Sequence, residues 1–112
     1  MSYSLFIDDE RDPPSDGRHW RIARSLDEVE TTLSVHGAPT FVSFDHDLGD
    51  AQPTGHDIVK AMIEGDLGER TGSGFDLGLH PSFTYYVHSQ NPVGKANIEG
   101  LLDNYLRHTR SS

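Results

Sequence analysis

The sequence contains no cysteine, and this single absence excludes several kinds of chemistry. Without a thiol the chain cannot form a disulfide, a thiolate zinc site or a cysteine nucleophile. Any metal that it binds must therefore be held by oxygen or imidazole ligands.

Basic residues are also scarce, with 9 Lys and Arg against 18 Asp and Glu, which gives a formal net charge of −9. A charge of this sign repels nucleic acid, so we do not expect the protein to coat a duplex. Any contact with RNA or DNA must be local or bridged by a metal cation. The same charge also suits a non-enzymatic protein whose acidic face binds a basic target.

Long hydrophobic runs are missing as well. No segment approaches the length of an apolar transmembrane helix, and the first residues lack the basic and apolar regions of a signal peptide. We therefore expect a cytoplasmic protein without membrane contact. Its 112 residues fit a single domain, 1–112, and the composition leaves its oligomeric state open.

Short apolar runs and capping signals predict seven elements along the chain. Strands are expected at 3–7, 20–23, 41–44 and 83–87, where apolar residues cluster between turn residues. Helices are expected after the capping residues Ser25, Thr54 and Asn91, with Gly37 and Gly65 ending the first two. The Gly-rich segment 66–82 is expected to be an irregular loop, and its role as a lid, a binding segment or a plain connection is open.

The order β, β, α, β, α, β, α predicts an α/β fold. Because the strand segments are apolar throughout, we expect a small, mostly parallel four-stranded sheet flanked by helices on its faces, in three layers. In such sheets, ligands bind beyond the carboxyl ends of the strands. Candidate functional residues are therefore those that follow each strand.

Three of the four strand segments end in polar or charged residues. These groups are Asp8-Asp9-Glu10, Asp45-His46-Asp47 and His88-Ser89-Gln90-Asn91. Each group alone also suits a solvated turn or a helix cap, but all three are expected at one edge of the sheet. Crowded carboxylates repel one another unless a cation, a proton or a basic side chain neutralises them. Oxygen ligands favour Mg²⁺ or Mn²⁺, and the neighbouring histidines would also admit Zn²⁺.

His88 stands directly before the predicted N-terminus of the last helix. Unpaired backbone N–H groups at such a terminus form an anion site that a phosphate fits. Ser89, Asn91 and Lys95 are therefore candidate substrate-binding residues, although Lys95 also suits an exposed surface position. His46 and His88 are candidate proton donors, and each alone equally suits a structural histidine.

The segment Leu5–Glu10 resembles the opening of a response-regulator receiver domain, in which a hydrophobic strand delivers an acidic pair. On this resemblance Asp45 matches the phosphoacceptor aspartate, and Ser89 matches the hydroxyl residue that closes the fourth strand. The pattern departs from receivers at one point, because no fifth strand with its lysine follows the last predicted helix.

Three longer segments resemble a receiver-like family that is named for cyclic-phosphate processing. They are Asp8–Pro13, Ser43–Gly49 with Thr54-Gly55, and His88–Gly94. The resemblance covers nearly the whole chain apart from 66–82. It implies a degenerate, four-stranded receiver or flavodoxin-like fold that acts on cyclic phosphates, particularly the 2′,3′-cyclic phosphate ends of damaged RNA.

With this resemblance we expect a metal-dependent phosphoesterase of RNA repair or processing, whose substrate is an RNA end, a cyclic nucleotide or a related phosphate ester. The expected metal ligands are Asp8, Asp9, Asp45 and Asp47, and the expected catalytic residues are Asp45, His46, His88 and Ser89. The alternative is a signalling or binding module in which Asp45 binds a metal or accepts a phosphoryl group.

Overall fold

The computed structural model describes residues 3–49, 52–68, 75 and 78–110. Its strands form one sheet in the order β2-β1-β3-β4, and they are β1 (Ser4–Ile7), β2 (Trp20–Ala23), β3 (Phe41–Phe44) and β4 (Thr84–Val87). All three strand pairings are parallel. The C-terminal ends of the strands therefore lie at one edge of the sheet, as the sequence predicts.

Three helices connect or follow the strands: α1 (Leu26–His36), α2 (Gly55–Asp66) and α3 (Pro92–Arg110). The predicted caps are confirmed, because the side chains of Ser25, Thr54 and Asn91 each accept a hydrogen bond from a backbone amide of the following turn. Gly37 ends α1 with a φ of 85°, as expected of a glycine at this position. None of the described helices is long and apolar enough to cross a membrane.

The prediction that Gly65 ends the second helix is wrong, because α2 continues to Asp66. Gly65 is buried, and a Cβ placed on it would lie 1.7 Å from the carbonyl oxygen of Phe75. The glycine therefore permits a close backbone contact and does not stop the helix. In the rest of the predicted 66–82 loop, residues 67–68 and 78–82 are irregular as expected and Phe75 belongs to the core, while 69–74, 76 and 77 lie outside the described residues.

The hydrophobic core lies on one face of the sheet and is shared by all three helices. Its largest members on the sheet are Leu5, Ile7, Val42 and Phe44, and on the helices they are Val29, Leu33, Ile58, Val59, Met62, Ile98 and Leu102. Because α2 contacts both α1 and α3, the helices form a single layer over these strands. Burial of this shared apolar face is the main force that holds the sheet edge in place.

The opposite face of the sheet carries a different set of side chains. Alternation along the strands places Phe6, Trp20, Phe41, Ser43 and Tyr86 there. The α/β class and the receiver-like parallel sheet are confirmed, but the described elements form two layers and not the expected three.

The connection between β1 and β2 explains why no helix covers the second face of the sheet in the described part of the chain. β1 and β2 are joined by residues 8–19, where Pro13, Pro14 and Gly17 do not favour a helix. This connection lies against the open face as a loop, and the Arg18 guanidinium carbon is 4.1 Å from the centroid of the Phe41 ring.

Candidate functional site

Asp8 follows β1 and is only 1% exposed. Its Oδ1 accepts hydrogen bonds from the backbone amides of Glu10 and Arg11, at 2.9 and 2.8 Å, and its Oδ2 lies 3.0 Å from Arg11 Nε. Burial opposes ionisation, but the hydrogen bonds from these amides and from His88, with the charge of Arg11, hold the pKa of Asp8 below its ordinary value. Asp8 is therefore a buried carboxylate that stays charged.

Asp45 follows β3 and lies beside Asp8. It is 6% exposed, and its Oδ2 is 3.7 Å from an Arg11 nitrogen, so the guanidinium contacts both carboxylates. Asp8, Asp45 and His88 each offer one ligand atom, and these three atoms lie within 4.8 Å of one another. Two carboxylate oxygens and an imidazole nitrogen suit Mg²⁺, Mn²⁺ or Zn²⁺. The residues present thus fit the predicted divalent metal, with His88 as a third available ligand.

His88 links this group to the middle of the sheet. Its Nε2 is 2.9 Å from Asp8 Oδ2, its Nδ1 is 2.7 Å from Ser43 Oγ, and its ring stacks on Phe6 with the centroids 4.6 Å apart. Because an ionised carboxylate only accepts, His88 Nε2 donates to Asp8. The Ser43 hydroxyl can donate to a neutral Nδ1 or accept from a protonated one. Ser43 therefore supports either protonation state of His88.

Sequence reasoning assigned no role to Ser43 or Arg11. The available signal for Ser43 was a polar residue inside the apolar run 41–44, since a buried hydroxyl needs a partner. The signal for Arg11 was a lone basic residue directly after the acidic run 8–10.

Asp8, Arg11 and Asp45 line a cleft of about 560 Å³ at the C-terminal edge of the sheet, which we call the acidic cleft, whereas His88 and Ser43 lie behind this lining. It is lined by Asp8, Asp9, Glu10, Arg11, Asp45, Asp47, Gly49 and Gln90. Five of these eight residues are acidic and one is basic, so the cleft attracts cations and repels anions. All four predicted metal ligands line it, although Asp9 and Asp47 lie outside the close group of ligand atoms.

His46 and Asp47 form a separate pair next to the start of α3. His46 Nδ1 lies 2.8 Å from Asp47 Oδ1, and Asn91 Nδ2 donates to Asp47 Oδ2 at 3.4 Å. The hydrogen bond from His46 outweighs desolvation and, with Asn91, holds the pKa of Asp47 below its ordinary value. The His46 ring packs against Gly94, where a Cβ would lie 2.3 Å from the ring. His46 is therefore held beside α3 and is not part of the cleft lining.

The three predicted substrate-binding residues do not converge on one point. Ser89 Oγ accepts a hydrogen bond from the Asn91 amide at 3.1 Å, and Asn91 Oδ1 accepts one from the first turn of α3, so Ser89 stabilises the turn before this helix and Asn91 caps it. Lys95 lies farther along, with Nζ 5.8 Å from the centroid of the Tyr86 ring. Gln90, which belongs to the polar group predicted after the fourth strand, lines the acidic cleft from this segment.

Two residues outside the cleft fix its geometry. The Arg24 guanidinium donates to the backbone carbonyls of Asp8 and Arg11, which pins the loop after β1. Gly55 begins α2 against the segment after β3, and a Cβ placed on it would lie 2.0 Å from the carbonyl oxygen of Asp45. A larger residue at this position would push α2 away from Asp45.

The chain as a whole matches a known type of domain. The model of the cyclic-phosphate processing receiver domain family matches residues 3–104, which is most of the chain. The chain belongs to this family. No curated protein and no solved structure matches it. The matched range contains all three close ligand residues of this cyclic-phosphate processing receiver domain, Asp8, Asp45 and His88.

Proposed function

We propose that the protein is a metal-dependent phosphoesterase that opens cyclic phosphates, such as the 2′,3′-cyclic phosphate ends of RNA. The observation that carries this proposal is the group of Asp8, Asp45 and His88, whose ligand atoms lie within 4.8 Å of one another, with the two aspartates lining the acidic cleft. Membership of a family associated with cyclic-phosphate processing supports the same substrate class.

The charge of the acidic cleft supports the need for a metal. Five carboxylates face one guanidinium, so a phosphate ester would be repelled from the bare cleft. A divalent cation held by Asp8 and Asp45 would offset their charge and polarise a phosphoryl oxygen. Arg11 contacts both carboxylates in the described structure and is 47% exposed, so it is free to turn outward when another cation replaces it.

The chain supplies a proton at a defined atom. Cleavage of a 2′,3′-cyclic phosphate forms one bond from water oxygen to phosphorus and breaks one bond from phosphorus to ribose oxygen. The leaving oxygen takes a proton, and a cleft carboxylate accepts the proton that the water loses. In its imidazolium form His88 holds one proton on Nε2 against Asp8 and one on Nδ1 toward Ser43 Oγ. It gives the Nε2 proton to the leaving ribose oxygen and is left as a neutral imidazole that still donates from Nδ1 to Ser43.

The test is the hydrolysis of 2′,3′-cyclic AMP, followed by chromatography of the adenosine monophosphate product with Mg²⁺, Mn²⁺ or Zn²⁺. We expect metal-dependent turnover that Asp45→Asn abolishes. His88→Asn should lower kcat by about 10²- to 10⁴-fold, the usual contribution of a general acid, and should leave metal binding intact. Asp27→Asn removes an equal charge from the exposed surface of α1 and is the matched control.

Turnover that persists in Asp45→Asn, or no turnover with any of the three metals, would contradict the proposal. In the second case the alternative is a receiver-type module, which would take a phosphoryl group on Asp45 from acetyl phosphate without hydrolysing the cyclic ester. A preference for Zn²⁺ with loss of metal binding in His88→Asn would make His88 a ligand and remove it as the proton donor.

A further inference from the structure

A second depression lies on the sheet face that the helices leave open. It has a volume of about 200 Å³, and we call it the aromatic groove after its main lining residues Phe6, Trp20, Phe41, Tyr86, Arg18 and His88. Ser43 also lines it and stands between Phe6 and Tyr86 in the strand register. The sheet is indented here because a small serine lies among large rings.

We propose that the aromatic groove binds the nucleobase of a nucleotide whose cyclic phosphate lies in the acidic cleft; this inference rests on the proposed function. Tyr86, which is 55% exposed, offers the flat surface on which a base stacks in single-stranded nucleic-acid sites, and Trp20 and Phe41 line the groove beside it. The groove is smaller than the usual pocket for a drug-sized molecule, and its volume suits one planar ring system.

Arg18 and Asp16 line the groove as an ion pair, and Lys95 adds a positive charge beside Tyr86. The Arg18 guanidinium lies over Phe41, and Lys95 Nζ lies 5.8 Å from the Tyr86 ring centroid. Asp16 fixes this wall, because it accepts a hydrogen bond from Trp20 Nε1 and forms an ion pair with Arg18 at 3.2 Å. The net charge of −9 disfavours anionic ligands in general, but cations beside aromatic rings favour a ligand that is both anionic and aromatic at this place.

The groove and the cleft adjoin at one hydrogen bond. His88 lines the aromatic groove, Asp8 lines the acidic cleft, and the two side chains are joined at 2.9 Å. A nucleotide with its base in the groove would therefore carry its ribose past the His88–Asp8 pair, and its phosphate would lie at the cleft. Lys95, predicted from sequence to bind substrate, lies near Tyr86 and thus beside the groove and not in the cleft.

A second copy of the chain fits this face less well than a base does. Among the described residues, the large apolar side chains exposed on it are Ile22, at 40%, and Tyr86, at 55%, and they belong to opposite edge strands. Phe6, between them, is only 5% exposed because the 8–19 loop covers it. A stable protein–protein interface buries about 800 Å² per partner around an apolar centre, whereas this face presents a narrow groove between two separate exposed residues.

The experiment uses the fluorescence of Trp20, which is the only tryptophan in the sequence. Adenosine is titrated into the wild-type protein with EDTA, and saturable quenching is expected. Tyr86→Ala should weaken adenosine binding by roughly fivefold to a hundredfold, the range that follows from the loss of one stacking partner. Ile22→Ala, which trims an exposed apolar residue on the same face but outside the groove, should leave the affinity unchanged.

A second measurement separates this inference from the proposed function. The kcat/KM for 2′,3′-cyclic AMP is compared with that for glycerol 1,2-cyclic phosphate, which has no base, and Tyr86→Ala should lower the ratio by the same factor as the affinity. Quenching without hydrolysis of either ester would remove the phosphoesterase and leave the base site. Hydrolysis of both esters without quenching, and with an unchanged ratio, would overturn the base site. A dimer in sedimentation that Tyr86→Ala dissociates would assign the groove to a second copy and would also overturn it.

Discussion

Asp8 and Asp45 should respond in opposite ways when their charge is removed. In Asp8→Asn the amide oxygen can still accept from the Glu10 and Arg11 amides, but its NH₂ group faces two donors, Arg11 Nε and His88 Nε2. A hydrogen bond to a charged group contributes about 1.5–3 kcal/mol, and an ion pair to the half-exposed Arg11 adds at most about 1 kcal/mol. Relief of the repulsion between Asp8 and Asp45 offsets part of this loss, so we expect the free energy of unfolding without metal to fall by about 1–3 kcal/mol.

Asp45→Asn should not destabilise the metal-free protein. Within 3–49, 52–68, 75 and 78–110, the Asp45 carboxylate has one charged partner, Arg11, at 3.7 Å, and it lies within 4.8 Å of the Asp8 carboxylate. Two like charges at this distance repel by on the order of 3 kcal/mol at an effective dielectric constant of about 20, and Arg11 offsets only part of this repulsion. The variant should therefore be unchanged or up to about 1 kcal/mol more stable.

The assay is urea denaturation at pH 7 in EDTA, repeated with Mg²⁺ or Mn²⁺. Metal at a hundredfold excess over its Kd should stabilise the wild type by about 2.7 kcal/mol, and both variants should lose this gain. Asp27→Asn on α1 should keep the metal response of the wild type. The reasoning is refuted if metal-free Asp45→Asn loses as much stability as Asp8→Asn, or if its metal response persists.

Two further predictions concern the scaffold. Gly55→Ala should lower the free energy of unfolding by about 1–3 kcal/mol, because its Cβ would lie 2.0 Å from a backbone oxygen. Gly100→Ala in α3, where a Cβ would meet nothing within 4 Å, should raise the free energy of unfolding by about 0.5–1 kcal/mol. Equal stabilities of the two variants in urea titrations would contradict this prediction. Burial, against the pull of Arg21, raises the pKa of Tyr3 from 10.0 to about 12, so the stability from its neutral form is complete below pH 10 and is lost as the pH rises through 12. Tyr3→Phe loses the hydrogen bond to the Gly37 carbonyl, which should lower the free energy of unfolding at pH 8 by about 0.5–1.5 kcal/mol. The variant should also lose the fall in stability between pH 10 and 12 that comes from Tyr3. An unchanged pH dependence would show that Tyr3 does not contribute.

The features that could be predicted from sequence are those set by neighbouring residues. Ser25, Thr54 and Asn91 cap helices through amides only two or three residues away, so their spacing is sufficient evidence. The shared edge that brings Asp8 and Asp45 together follows from parallel strands, because each strand must end on the same side.

The features that could not be predicted depend on contacts between distant segments. His88 meets Ser43 across 45 positions and Asp8 across 80, and no local pattern encodes either contact. Gly65 is a residue type that commonly ends helices, but here its missing side chain allows the close contact with the Phe75 backbone. The single helical layer depends on which face of the sheet each connection crosses. Strand segments that are apolar throughout do not indicate this face, because either side of them could be buried.

The place of each ligand residue in the sheet order links the site to local unfolding. Asp8 and Asp45 follow the two central strands, whereas His88 follows β4, an edge strand that pairs only with β3 and packs against α3. A transient opening of β4 with α3 would separate His88 from the two acids without breaking up the centre of the sheet. Any ligand that engages all three residues must oppose that opening, so amide hydrogen exchange in β4 would slow as the site fills. Ligand binding at the site and opening of β4 with α3 are thus thermodynamically coupled, because each disfavours the other.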